Sequence, residues 1–267
     1  MNKQIIPALL ISVFAISSCN NSGENKSSTK DSLNKSHDST GNNALEHGFA
    51  YPEIQKNGSS ISNFAPNGWM VLDSATGDLN NDKNNDVAFV LQHRDSVSVV
   101  IPNPEDISRD TTVMTQPRIL VIAFFNTTTK QYDLVEQSNT FILNHDDENM
   151  MDPFGKGYIS ISAGVLKISF INAPEKDMGA SGGTDYQFRY QANEFQLVQA
   201  ENSITHFQGA TETRSYDFMT KKVEIATNDG SGSKDKVQWK TFDFKEMKTL
   251  KTLKEPYNWE IEKDVLL

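Results

Sequence analysis

The sequence predicts an all-β body: an antiparallel hairpin series forming a sandwich, open meander or partial barrel, with at most one short helix near the C-terminus. Three observations carry this. Apolar residues alternate with period two from Trp69 nearly to the end of the 267-residue chain, the spacing that puts one face of a strand on a core. The alternating runs are separated by short turn segments, which join antiparallel neighbours. Helical periodicity is confined to one stretch.

In order along the chain, "DVAFVLQ" (86–92) reads as a strand. "ILVIAFF" (119–125) is apolar on both faces and suits a central strand. "YISISAGVLKISFI" puts Ile159 and Ile161 on one face, turns at Ala163-Gly164, and returns with Leu166, Ile168 and Phe170. "YQFRYQANEFQLV" repeats the pattern with Tyr186, Phe188 and Tyr190, a turn at Ala192-Asn193, then Phe195 and Leu197. "RSYDFMTKKVEI" does so with Tyr216 and Phe218 before the turn and Val223 and Ile225 after it. "TNDGSGSKDK" is a loop before a last strand around Val237 and Trp239. "FKEMKTLKTLK" places Met247, Leu250 and Leu253 at helical spacing.

The N-terminus defines the location. MNKQIIPALLISVFAISSC has an early Lys, an apolar stretch from Ile5 to Ile16 and small residues before Cys19. That is a signal peptide over 1–18, too short for a spanning helix, which needs about 20 apolar residues. Ile16-Ser17-Ser18-Cys19 resembles a bacterial lipobox, in which the Cys becomes the lipidated N-terminus. Cys19 is the sole cysteine, so the reading leaves neither a disulfide nor thiol chemistry. Residues 20–47 are rich in Ser, Asn, Lys and Asp, with little to bury, and read with Cys19 as a disordered tether. As a flexible coil it reaches roughly 30 Å. Residues 48–267 form a single β domain.

Removing residues 1–18 takes away Lys3 alone and leaves 24 basic against 35 acidic residues, a net charge of −11. This argues against nucleic acid and against docking on anionic lipid, and fits a cation site. The partners expected are the membrane, reached through the N-terminal lipid, and an envelope protein or glycan.

The metal candidate is "GDLNNDKNND", residues 77–86, with three Asp and four Asn in ten positions. Counted from Asp78 as position 1, Asn80 is 3, Asp82 is 5, Asn84 is 7 and Asp86 is 9. Oxygens at 1, 3 and 5, a backbone carbonyl at 7 and a carboxylate at 9 form a calcium-binding loop. Two departures bear on strength. Position 6, where a left-handed Gly is preferred, is Lys83, at a cost of about 1–2 kcal/mol. Position 12 is Phe89, so the bidentate Glu of an EF-hand is missing. The expected site is therefore weak, with a dissociation constant of about 10⁻⁴–10⁻³ M.

"GDLNNDKNNDVAFV" resembles the loop of FG-GAP and VCBS-type repeats, which joins two strands and holds Ca²⁺. Carried over, the resemblance implies Asp78, Asn80, Asp82, the Asn84 carbonyl and Asp86 as ligands. More widely, "GWMVLDSATGDLNNDKNNDVAFVL", "PRILVIAF", "DPFGKGYISISAGVLKISF", "YQFRYQANEFQLV" and "YDFMTKK", spanning 68–222, resemble a family of uncharacterised secreted bacterial lipoproteins of the Bacteroidota type. That resemblance implies an outer-membrane lipoprotein and no particular reaction.

No catalytic set is assigned. Gly179-Ala180-Ser181-Gly182-Gly183 matches G-x-S-x-G, and Asp185 and His206 follow in order, but the flank is a hairpin strand where a nucleophile elbow needs strand-turn-helix on a parallel sheet. "NHDDENMMD" gathers His145, Asp146, Asp147, Glu148 and Asp152; a run of acids on a loop reads first as a solvated face, and second as a carboxylate pair of an envelope hydrolase acting on glycan or peptide or as a second cation site. Trp69 and Trp239 sit in alternating strands and are expected in the core; Trp259 is a further candidate for stacking on sugar rings.

Overall fold

The computed structural model describes residues 45–46, 49–102, 110–176, 179–263 and 265–267, all within one compact unit, Asn42–Leu267. The signal segment, Cys19 and the tether lie outside the described residues.

In chain order the strands are β1 (Leu45–Glu46), β2 (Phe49–Ala50), β3 (Asn57–Gly58), β4 (Trp69–Gly77), β5 (Asp86–His93), β6 (Val97–Pro102), β7 (Asp110–Thr115), β8 (Arg118–Asn126) and β9 (Gln131–Ser138). They continue with β10 (Ile159–Ser162), β11 (Val165–Asn172), β12 (Ser181–Gln191), β13 (Glu194–Thr205), β14 (Thr211–Asp217), β15 (Lys222–Asn228), β16 (Lys236–Thr241), β17 (Glu260–Glu262) and β18 (Val265–Leu266). Every strand pairing is antiparallel. The all-β class holds, and of the alternatives within it the sandwich is the one adopted.

Two sheets make the body. One has five strands in the order β3-β9-β8-β5-β4; the other is a seven-stranded meander, β10 to β16. The five-stranded sheet is buried on both faces, because β5 and β8 are apolar at every central position. Ala88, Val90, Leu120 and Ile122 face the meander and join its Leu166, Ile168, Phe188 and Leu197 in one core. Val87, Phe89, Leu91, Ile119 and Val121 face the other way, under Tyr51, Ile54, Phe64 and Trp69. A 3-10 turn (Ile61–Phe64) seats Phe64 there.

Turn chemistry fixes the meander's register. Ala163 and Gly164 have φ of 50° and 74°, and Ala192 and Asn193 have 52° and 63°, the left-handed pairs of two-residue hairpins. The four-residue turns 127–130 and 218–221 share another device. Asn126 Oδ1 accepts from the Thr128 and Thr129 N–H groups, Asp217 Oδ1 from those of Met219 and Thr220, and Lys130 and Lys221 close each turn at positive φ. Val198 is the extra residue of a bulge that keeps Leu197 and Ala200 both inward.

The helical rhythm of 244–254 yields only one turn of α-helix, α1 (Leu250–Leu253), capped by Thr249. Its Leu250 and Leu253 are buried in the core that both sheets share, with Phe242 and Leu267, and the segment is tied to β13 by the Leu197 N–H on the Lys248 carbonyl at 2.8 Å. Among the described residues no helix is long and apolar enough to cross a membrane.

The tryptophans divide. Trp69 is 6% exposed and in the core as expected, but Trp239 is 61% exposed, which corrects the expectation for it. The reason is register: Trp239 pairs with Glu224, while the inward residues of β15 are Val223 and Ile225. Paired residues share a face, so Trp239 is on the outside. Trp259 is half-buried, stacked on Phe218 at 5.5 Å.

Candidate metal centre

The loop 78–85 joins β4, the edge strand of the doubly covered sheet, to its neighbour β5, at the junction with the meander. Leu79 turns inward and is fully buried. A Cβ on Gly77 would come within 2.5 Å of Ile161 Cγ2 on β10, so only Gly lets the two sheets approach here. Nearby, one oxygen of Asp73 accepts the backbone N–H groups of Gly157 (2.9 Å), Tyr158 (3.1 Å) and Ile159 (3.2 Å), tying β4 to the start of β10.

The loop curls because Asn81 (φ 64°) and Lys83 (φ 69°) are left-handed; Lys83 takes the conformation for which position 6 prefers Gly. Side-chain oxygens of positions 1, 3 and 5 then point into the loop. Asp78 Oδ1 (3.2 Å) and Asn80 Oδ1 (3.0 Å) both accept the Asp82 N–H. Asp78 Oδ2 accepts the Lys83 N–H at 2.9 Å, and Asp82 Oδ1 the Asn84 N–H at 2.8 Å. The Asn84 bonds hold the Asp82 carboxyl below its usual range.

Asp86 differs from the others. It is fully buried, with Oδ2 on the Leu79 N–H (2.9 Å) and Oδ1 on the Phe125 N–H of β8 (3.0 Å). Burial pushes its carboxyl above the usual 3.8, the Asp82 charge adds to this, and the two N–H bonds oppose it. No Lys or Arg pairs with Asp86 among the described residues.

The donor set fits a hard cation in kind. Asp78 and Asn80 converge on the Asp82 N–H while the Asp82 carboxylate holds the Asn84 N–H, and a carboxylate oxygen holding an N–H keeps a second lone pair for a metal. Among the described residues, no three His, Cys, Asp or Glu side chains gather closely enough to hold a metal by themselves. A cation here would also draw on the Asn80 oxygen and the Asn84 carbonyl, with Asp86 anchoring the loop from behind.

The acids at 145–152 behave as two groups. Asp146, Asp147 and Glu148 are exposed, with Asp147 Oδ1 bound to Asn149 N–H at 2.9 Å. Asp152 pairs with Arg118, whose Nη1 and Nη2 donate at 2.8 and 2.6 Å. Arg118 is 2% exposed and also donates to the Leu143 carbonyl at 2.7 Å and to Gln92 Oε1 at 2.9 Å. Burial raises the Asp152 carboxyl, but the Arg118 bonds, the Phe154 N–H and the Arg118 charge outweigh it and hold it below its usual range. Sequence reasoning missed this pair of a buried Arg and a half-exposed Asp. The signal was an Arg heading the apolar run of β8, a cation that must find an anion once buried.

Ser181, Asp185 and His206 are not assembled as a triad. Ser181 opens β12 in an antiparallel sheet, Asp185 is paired with Lys167, His206 is exposed in the turn after β13, and no hydrogen bond joins Ser181 to His206 among the described residues. Comparison with protein-family models, curated proteins and solved structures returned no match.

Proposed function

We propose that this chain is a lipid-anchored protein of the bacterial cell envelope, held to the outer membrane through Cys19, whose β body carries one weak structural calcium loop and serves a binding or structural role. The loop supports the metal part: Asp78 and Asn80 meet on the Asp82 N–H, the Asp82 carboxylate holds the next turn, and the buried Asp86 lacks a cationic partner among the described residues. Bound calcium would neutralise crowded carboxylates and stabilise the fold by mass action. Its place between β4 and β5, beside the contact of the two sheets, makes it a clamp rather than a reaction centre. The anchor rests on the lipobox-like Ile16–Cys19 and the polar segment after it, and agrees with the resemblance to secreted lipoproteins and FG-GAP-type loops. Expression with a radiolabelled fatty acid tests the anchor. Label and membrane fractionation are both lost in Cys19→Ser; an unlabelled wild type, or a variant that stays with the membrane, rejects it.

A further inference from the structure

The inner face of the meander changes character along its strands. Register places Tyr186, Ala200, Tyr216 and Val223 in one cross-strand row, all buried. The next row on the same face is Thr184, Asn202, Arg214 and Ile225, and the one after it Gly182, Ile204, Glu212 and Thr227. Polar residues at positions whose parity is that of the core are out of place unless they serve a function. Thr184 is 2% exposed, so this is no ordinary wet surface.

The C-terminal segment roofs these rows and leaves a cleft of about 400 Å³, within the size range of small-molecule sites. Arg214 ties floor to roof, donating from Nε to Glu212 Oε1 at 2.6 Å and from Nη1 to Glu262 Oε2 at 2.8 Å. Asn202 Nδ2 donates to Thr184 Oγ1 at 3.0 Å. Tyr257, on the cleft wall, turns its hydroxyl into the protein, where it is enclosed; burial raises its pKa and the neighbouring Thr184 side chain opposes the rise. Tyr257 is itself left-handed, at φ 61°, held by its N–H on Tyr186 Oη at 3.0 Å. An aromatic residue in that conformation is strained, and such strain concentrates at binding sites. Ile204 and Leu266 offer exposed apolar surface at the rim.

We infer that this cleft binds a neutral, polyhydroxylated ligand of mono- or disaccharide size. Two carboxylates against one guanidinium leave a net negative charge that repels anions. Arg214 occupies one oxygen of Glu212, so the second accepts a ligand hydroxyl, and the Asn202 amide on the cleft lining keeps a second N–H to donate to another. Ile204 and Leu266 suit the C–H face of a sugar ring. The inference extends the binding role proposed above and does not depend on the calcium loop.

The test is calorimetric titration of the full chain, in EDTA, with neutral gluco-, galacto- and manno-configured mono- and disaccharides, and with glucuronate and spermidine as charged competitors. At least one neutral saccharide is expected to bind in preference to both charged probes. Asn202→Ala is expected to weaken it about tenfold, the loss of one ligand hydrogen bond, while its melting transition stays cooperative. Trp239→Ala, on the opposite face, leaves the affinity unchanged. No binding by any neutral saccharide, preference for glucuronate or spermidine, or unaltered affinity in Asn202→Ala overturns the proposal.

Discussion

Asp86 reaches from the end of β5 to the Phe125 N–H of β8 at 3.0 Å, so a side chain continues the hydrogen-bond ladder past the last backbone pair, Val87 with Ala123. Its other oxygen holds the Leu79 N–H. One buried carboxylate thus shapes the calcium-type loop and joins it to the central strands.

Asp86→Ala strands both N–H groups in the interior. At about 1–3 kcal/mol for each buried unsatisfied group, the variant is expected to lose roughly 3 kcal/mol of unfolding free energy. Urea denaturation reads this as a lower midpoint; a loss within experimental scatter would show that the carboxylate is not the anchor.

The buried Asp86 and the half-exposed Asp152 give opposite pH dependences. Asp86 has a raised value when folded, so its contribution is full below 3.8 and fades as pH rises through the folded value. In EDTA, Asp86→Asn should therefore gain on wild type as pH increases from about 4. Asp152 has a lowered value, so its contribution is present above 3.8 and is lost as pH falls through the folded value. Asp152→Asn should flatten the acid limb of the stability profile. Denaturant melts across the acid range decide both, and identical profiles for wild type and variants contradict the assignments.

Asp152→Ala leaves Arg118 buried without its anion. Breaking a fully buried pair costs about 3–5 kcal/mol, but the Asp152 side chain is 42% exposed, and solvent screening reduces this to roughly 2 kcal/mol. A guanidinium melt of the single variant checks the figure.

The tryptophans supply an internal contrast. Trp69→Ala empties a site in the smaller core and should cost about 3–5 kcal/mol; Trp239→Ala should stay within about 0.5 kcal/mol of wild type. Equal losses would mean that β16 is covered in solution.

Much of the fold was legible because hairpins are local. Ala163-Gly164 and Ala192-Asn193 announce their turns, and period two then sets which residues face in. The run 119–125 declared a central strand because both its faces are apolar. Trp239 was misplaced because alternation shows that a strand has two faces without showing which is covered; its pairing with Glu224 decides that. The loop 78–86 was legible as spacing, yet the division of labour within it was not, since Asp86 turns away to Phe125, 39 residues on. Arg118 with Asp152, and the cleft around Arg214 and Tyr257, depend on residues distant in sequence. Only the parity of Thr184, Asn202 and Arg214 hinted at the second.

The calcium clamp is tested most directly by thermal melting of the metal-free protein against added Ca²⁺. For a dissociation constant of about 10⁻³ M, a tenfold excess over it stabilises by about 1.4 kcal/mol, a rise of roughly 3–6 °C for a domain of this size. The expected result is that rise in wild type and none in Asp82→Ala. An unmoved wild-type midpoint, or an equal rise in Asp82→Ala, would contradict the account.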